Sequence, residues 1–236
     1  MLSLIAVLFA GLVPATSSSA PPAHLAVPSA FGPQVHVSSF ASLTVGDSLT
    51  HYYAHLDRAA IDRLYRHKAR TLRDRLLCRY RLFPLTMDDG YLVDIPNDRG
   101  VSSARDLSLI SALWAYKAAN SSRIHLPTYG RRSERILNRA LEIDPTEPYA
   151  LLVKGQSLFY KPSWFGGDPA EAKRTFEQLR HVLSQRRAPG IHPFEAEVWI
   201  WMAVRKLDAS QGRALQRRLL AQNPPPLFRQ FLIDPP

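Results

Sequence analysis

Apolar residues recur at three- and four-residue intervals along most of the chain, which is typical of helices with one buried face. The pattern is clearest between Leu56 and Tyr80, where arginines lie between the apolar positions. Those apolar positions are Leu56, Ala60, Ile61, Leu64, Tyr65, Ala69, Leu72, Leu76 and Tyr80. No alternating strand pattern of useful length is present, so the sequence predicts an all-α protein whose helices are joined in pairs.

Capping residues and prolines predict where the N-terminal helices begin and end. Asp47 and Ser48 predict the start of a first helix, and Pro84 predicts the end of the helical run that begins at Leu56. Residues 87–100 are rich in Asp, Gly and Asn, so they predict a loop or a small hairpin.

Six further helices are predicted after residue 102. Ser103 followed by Asp106 resembles a capping box, which begins a helix that ends near Asn120. Pro127 and Gly130 predict a connection before the next helix. The remaining helices are predicted over about 131–143, 147–159, 169–183, from 193, and over 209–221, with a short turn in the tail.

Small residues and prolines recur with a shared spacing over about residues 103–226. Ala140 precedes Pro145 by five positions, and Leu219 precedes Pro224 by the same number. The other positions of the pattern are Gly155, Ala172, Phe176 and Leu179. On these positions the chain resembles a degenerate tetratricopeptide-repeat protein, built from stacked helix pairs of about 34 residues.

One loop departs from that repeat. Sixteen residues separate Gly155 from Ala172, where a standard unit has roughly eleven, and the extra residues form the loop YKPSWFGGDPAEA. A Pro-aromatic-Gly-Gly-Asp loop is similar to one in a group of exported bacterial tetratricopeptide proteins. The nearest functional analogue is the T component of some tripartite periplasmic transporters. The resemblance implies about three antiparallel helix pairs plus an N-terminal helix, a TPR-like α-solenoid that holds a partner.

The segment from Trp164 to Asp168 has two interpretations. It either shapes a ligand or peptide groove on a concave face, or it is a turn that links two helices. In the second interpretation, which we favour, the glycines supply unusual backbone angles, Asp168 caps the next helix and Trp164 packs on that helix. No Gly-Lys-Ser/Thr follows the glycines, so a phosphate loop is excluded.

The net charge of +10 over 236 residues is compatible with nucleic acid, anionic lipid or an acidic protein as partner. Solvated basic helix faces are the simpler interpretation. Tyr65 and Tyr80 are in phase with the buried stripe rather than exposed among the arginines, so nucleic-acid binding is not expected.

Residues with catalytic or metal-binding chemistry do not form a known signature. Cys78 is the single cysteine, which excludes an intramolecular disulfide and predicts a small buried thiol. His51 and His55 share a helix face, but no HExxH pattern surrounds them and Asp57 is the one acidic residue nearby. The sequence therefore predicts no enzyme, no metal and no cofactor.

The N-terminus has the outline of a secretory signal peptide. An apolar run from Leu2 to Val13 precedes the small residues Ser18 and Ala20, although neither lysine nor arginine precedes the run. An uncleaved anchor and a disordered apolar leader are the alternatives, and membrane contact is expected only through the leader if it is uncleaved. We predict a periplasmic or secreted protein with a signal peptide (1–20), a linker (21–46), an N-terminal helical segment and loop (47–100) and a repeat domain (101–236).

The predicted function is a non-catalytic, TPR-like interaction module that binds a protein or peptide partner in the bacterial cell envelope. The net positive charge of the chain favours an acidic partner. The residues expected to contact it are Tyr116, Lys117, Asn120, Lys154, Phe159 and Trp164. The alternative is a small-ligand-binding component of an exported uptake system, which a pocket under the Trp164 loop would favour; a third is a hydrolase with dispersed residues.

Overall fold

The computed structural model describes residues 43–235, which contain ten α-helices, two short 3₁₀ turns and no strand. The helices are α1 (Val45–Ala54), α2 (Arg58–His67), α3 (Leu72–Thr86), α4 (Ala104–Ala119), α5 (Leu126–Ile143), α6 (Pro148–Tyr160), α7 (Pro169–Gln185), α8 (Pro193–Leu207), α9 (Ala209–Leu220) and α10 (Pro226–Ile233). The 3₁₀ turns are Asp89–Leu92 and Ser163–Phe165. The predicted all-α class is confirmed. Within these residues no helix has the length and apolarity needed to cross a membrane.

The predicted signal peptide (1–20) lies outside the described residues, as does the predicted linker (21–46) up to residue 42. The end of that linker prediction is wrong, because α1 begins at Val45. The Thr44 side chain accepts a hydrogen bond from the backbone N–H of Asp47, and this cap starts α1 before the predicted Asp47–Ser48.

Helices α4 to α9 form three antiparallel pairs, α4/α5, α6/α7 and α8/α9, as the sequence predicts. Helix α4 also packs against α6, and α7 packs against α8, so the pairs share one continuous core. The Ser103 side chain caps α4, and the Asp168 side chain accepts hydrogen bonds from two backbone N–H groups at the start of α7. These local caps place the helix ends close to the predicted positions.

Gly155 lets α6 and α7 approach each other closely. A Cβ atom at this position would lie 2.3 Å from the ring of Phe176 on α7. Phe176 is fully buried and its ring stacks on Trp199 of α8, with 5.4 Å between the ring centroids. The small residue therefore makes room for an aromatic side chain that links the second and third pairs.

The predicted continuous helical run from Leu56 to Tyr80 is wrong, because it crosses a break between α2 and α3. Thr71 caps α3 and forms a capping box with Asp74, which starts a new helix inside the apolar pattern. The apolar spacing continues across the break because residues on both sides face the same core.

The predicted helix end at Pro84 is also wrong. Pro84 lies inside α3, which ends at Thr86, and Met87 follows in the left-handed conformation with φ of 54°. A proline this close to a helix C-terminus removes one hydrogen bond, and the backbone N–H of Met87 still donates to the Phe83 carbonyl at 2.7 Å.

Two predicted connections also differ from the structure. The 87–100 segment contains the 3₁₀ turn Asp89–Leu92 and no hairpin. Helix α5 begins at Leu126, so Pro127 and Gly130 lie in its first turns, where the missing proline N–H breaks no helical hydrogen bond.

Helix α3 lies across the first helices of all three pairs. Tyr80 stacks on Tyr116 of α4 and its hydroxyl donates to Gln156 of α6 at 3.3 Å. Arg81 forms an ion pair with Glu195 of α8 at 2.8 Å. In stacked helix pairs the first helices line the concave surface. Helix α3 therefore contacts the first helix of each pair on the face where a partner would otherwise bind.

Candidate interaction surface

The predicted contact residues do not form one open surface. Tyr116 is half-buried between the rings of Tyr80 and Phe83, with centroid distances of 5.7 and 5.0 Å. Phe159 is only 8% exposed and its ring packs edge-on against Trp199. Tyr116 thus contacts α3, and the expectation that Phe159 faces a partner is corrected by its burial in the core.

Lys117 and Asn120 also contact the N-terminal part of the chain. The Lys117 ammonium group donates to the Leu92 carbonyl at 3.5 Å, and the Asn120 amide donates to the carboxylate of Asp89. Both contacts come from packing of the 3₁₀ turn Asp89–Leu92 against the end of α4. Local sequence patterns do not show such a contact.

Three of the six predicted residues keep an open side: Asn120 and Trp164 are exposed and Lys154 is half-buried. The Lys154 ammonium group lies 3.8 Å from the Glu171 carboxylate at the surface between α6 and α7. The Trp164 side chain is 76% exposed. The structure therefore leaves Trp164 as the predicted residue best placed to meet a partner.

Trp164 and Phe165 form an exposed aromatic pair at the tip of the α6–α7 loop. Phe165 is 48% exposed, and the two ring centroids lie 4.2 Å apart with the rings tilted by 42°. The interpretation in which Trp164 packs onto the next helix is wrong. Phe165 was not among the predicted contact residues. Its position between Trp164 and the two glycines of the loop could have indicated that it is exposed as well.

The turn that carries the two rings is closed by its own backbone. The N–H groups of Phe165 and Gly167 both donate to the Pro162 carbonyl, at 2.9 and 3.0 Å. Gly166 has φ of 84°, and a Cβ atom at Gly167 would lie 1.8 Å from the Lys161 carbonyl oxygen. The backbone conformation of the turn therefore requires both glycines. Gly166 adopts a positive φ, and Gly167 lies too close to the Lys161 carbonyl for any side chain to fit.

The surroundings of the turn are mixed apolar and basic. Because the pairs are antiparallel, the α4–α5, α6–α7 and α8–α9 connections lie at the same end of the stack. Besides the aromatic pair, the exposed large apolar residues in these connections and at the adjoining helix ends are Ile124, Leu126 and Leu207. The Lys206 ammonium group donates to the Phe159 carbonyl at 2.8 Å, and Lys161 lies 3.4 Å from the Glu134 carboxylate. We call the surface formed by these three connections, with Ile124, Trp164, Phe165 and Leu207, the end surface.

Several tyrosine hydroxyls with strongly shifted pKa values are buried where α1, α3 and α6 meet. Burial raises the pKa of the Tyr53, Tyr80 and Tyr149 hydroxyls well above the usual range. The Tyr149 hydroxyl donates to the Pro189 carbonyl at 2.9 Å. All three tyrosines are buried, so their packing stabilises this part of the core and none of them is an accessible nucleophile.

His51 in the last turn of α1 and His55, the C-cap of that helix, contact each other. Their rings lie 4.2 Å apart, and Nδ1 of His55 is 2.9 Å from the His51 carbonyl oxygen. In the part of the chain that the structure describes, no group of three or more His, Cys, Asp or Glu side chains has the geometry to hold a metal ion.

A shallow open cleft of about 750 Å³ lies between the end of α1 and α10, on the side where α9 ends. Its lining includes His55, Leu56, the prolines 224–226, Arg229 and Ile233. This cleft is separate from the Trp164 turn, which lies where α6 ends.

The chain matches no family model, and it is significantly similar to no curated protein and no solved structure. Membership of the tetratricopeptide family stays a prediction, and the end surface is identified by its geometry alone.

Proposed function

We propose that this protein is a non-catalytic helical interaction module that binds a protein or peptide partner in the bacterial cell envelope through the Trp164 turn. The observation that carries the proposal is the pair of adjacent aromatic rings, 76% and 48% exposed, on a turn closed by backbone hydrogen bonds. Tryptophan is enriched among the residues that dominate binding energy at interfaces. A turn that is already rigid loses little conformational entropy on binding.

The concave surface supports this role less well, because α3 lies across α4, α6 and α8. Tyr80 and Arg81 occupy positions that a bound peptide would otherwise fill. Lys161 precedes the exposed rings in the same α6–α7 connection, Lys206 donates to the Phe159 carbonyl near the end of α6, and the whole chain carries a net charge of +10. An acidic partner is therefore favoured by electrostatic complementarity.

The alternative, a small-ligand-binding component of an exported uptake system, requires a pocket beneath the Trp164 loop. A Cβ atom at Gly167 would lie 1.8 Å from the Lys161 carbonyl oxygen, so the interior of the turn is filled by its own backbone. A filled turn supports the interaction module over a ligand site inside the turn.

Site-specific photo-crosslinking in intact bacteria tests the proposal. A photoreactive side chain in place of Trp164 is expected to give a discrete protein adduct in the envelope fraction. The matched control is Ile143, which is 51% exposed at the opposite end of α5. Adducts of equal yield from both positions would contradict the proposal.

The captured partner then permits an affinity measurement. The double variant Trp164→Ala/Phe165→Ala is expected to bind at least about tenfold more weakly, as for hot-spot residues. Its unfolding free energy should change by less than about 0.5 kcal/mol, since both side chains are exposed. Unchanged affinity in a folded variant would show that the turn only links two helices.

A further inference from the structure

Three arginines of α5 converge on a single buried carboxylate. Asp98, in the segment before α4, is only 5% exposed. The Arg139 guanidinium donates to its Oδ2 atom at 2.7 Å, while terminal nitrogens of Arg135 and Arg132 lie 3.7 and 3.9 Å from Oδ1. Their spacing along α5 brings all three side chains to the helix face that contacts Asp98.

The charge in this cluster is unbalanced. Three guanidinium groups surround one carboxylate, which leaves two positive charges. The distances from Arg132 and Arg135 to Oδ1 exceed hydrogen-bonding range, so Asp98 does not engage these donors. The Arg135 side chain is 65% exposed and can meet a ligand from solvent. The Nε atom of Arg132 is buried without a hydrogen-bond partner among residues 43–235.

An indole ring holds part of the cluster in place before any ligand arrives. The guanidinium carbon of Arg132 lies 4.0 Å from the centroid of Trp114, and the Lys117 ammonium nitrogen lies 5.4 Å from the same centroid. Cation–π attraction therefore fixes two cations against one ring. Because these side chains are already held in place, less conformational entropy is lost when a ligand binds to them.

We propose that Arg132, Arg135 and Arg139 form a binding site for a phosphate monoester or free phosphate dianion, with Asp98 as the positioning residue. The two negative charges of the dianion match the two uncompensated positive charges, whereas a single carboxylate would neutralise only one. The planar guanidinium fork donates two parallel hydrogen bonds to phosphate oxygens. The proposal does not depend on the Trp164 turn.

Calorimetric titration of the full chain with inorganic phosphate, at constant ionic strength in chloride buffer, tests the site. Arg135→Ala should weaken binding by about tenfold or more, the effect of losing a charge-assisted contact. Arg135→Lys keeps the charge but loses the fork, so it should restore binding only in part. Arg218→Ala on α9 removes the same charge from an exposed position on another helix and should leave affinity unchanged.

The pH dependence provides a second readout. Inorganic phosphate gains a proton and loses one of its two negative charges as the pH is lowered from 7.5 to 5, so its affinity should fall over this range. A constant affinity would contradict the charge match on which the proposal rests. Since Arg135 is exposed, its variants should keep the circular dichroism spectrum and unfolding midpoint of the parent chain.

Sedimentation with phosphatidylcholine vesicles, with and without phosphatidic acid, distinguishes the source of the phosphate group. Binding of inorganic phosphate that Arg135→Ala weakens would assign a free phosphate ligand. Binding only to phosphatidic-acid vesicles, with the same dependence on Arg135, would assign a lipid headgroup. The proposal is overturned if neither probe binds, or if Arg218→Ala and Arg135→Ala weaken binding equally.

Discussion

The guanidinium group of Arg81 and the carboxylate of Glu195 form a buried, bidentate ion pair that joins α3 to α8. Both N–O distances are 2.8 Å, and Arg81 also donates to the Gly190 carbonyl at 2.6 and 3.1 Å. Burial is the largest single influence on the pKa of Arg81 and lowers it, but the Glu195 carboxylate and the Tyr53 and Tyr80 side chains together raise that pKa well above its usual value. Arg81 therefore stays charged, and the ion pair holds α3 across the helix pairs.

Removing one partner of this pair is expected to be strongly destabilising. Glu195→Leu leaves a buried guanidinium without its counter-charge, so the unfolding free energy should fall by about 3–5 kcal/mol. The double variant Arg81→Met/Glu195→Leu buries no charge and should regain most of that loss. Urea unfolding followed by circular dichroism measures both. If Glu195→Leu lowers the unfolding free energy by no more than a typical surface substitution does, the ion pair is unimportant to the fold.

Gly155→Ala should destabilise the contact between α6 and α7. The new Cβ atom would meet the buried ring of Phe176 at 2.3 Å, and a shift of that ring should cost about 1–3 kcal/mol. The matched control is Gly130→Ala in α5, where a Cβ meets nothing within 4 Å and helix propensity should add about 0.5–1 kcal/mol. Thermal unfolding should shift in opposite directions for the two variants; a common direction would contradict the packing argument.

The stability of the α8 N-terminus should depend on the protonation of His192. Its Nδ1 atom accepts a hydrogen bond from the backbone N–H of Phe194 at 3.1 Å, which requires an unprotonated nitrogen. Burial is the main cause that lowers the pKa of His192; His55 also lowers it and Glu195 opposes the shift. The unfolded chain, with a histidine pKa of about 6.5, therefore binds the proton more readily than the folded chain.

Because the folded pKa is the lower one, the stabilisation is fully present above about pH 6.5 and is lost as the pH falls through and below that value. His192→Asn keeps a side-chain acceptor for the cap and removes the titration. Urea unfolding from pH 8 to pH 5 measures the unfolding free energy of the parent chain minus that of the variant. This difference should become smaller as the pH is lowered. A constant difference would show that His192 does not titrate with folding.

Cys78 should be unreactive in the folded chain. Its side chain is fully buried, and burial raises the pKa of the thiol to about 12, so almost no thiolate exists at pH 8. A thiol-specific chromogenic reagent should react at the rate of unfolding in buffer and within seconds in concentrated urea. Immediate stoichiometric reaction in buffer would contradict the buried position on α3.

The helix pairs were predictable because the signals that define them are local. Asp168 caps α7 through N–H groups two and three residues away, and Gly155 meets Phe176 on the next helix. The predicted boundaries of α3 were wrong at both ends. Pro84 was tolerated near a helix end, and Thr71 started a new helix within an unbroken apolar pattern.

The candidate contact residues were harder to predict, since they depend on which elements meet. Trp164 is exposed, and its role as a contact residue stays a prediction. The loop sequence did not determine this exposure, because it equally suited a ring packed on α7. Tyr116 was expected to face a partner and instead stacks on Tyr80. Asp98 was predicted only as part of a loop, although it gathers three arginines of α5.

By itself, the sequence determined that the chain forms amphipathic helices, that they pair, and that small residues such as Gly155 lie where they touch. These properties follow from periodicity and capping, which act within a few residues. The tertiary structure alone decided that α3 covers the first helices of the pairs, through contacts such as Arg81 with Glu195, 114 positions apart. Periodicity shows that a helix face is buried, but the partner that buries it is selected by the packing of the whole chain.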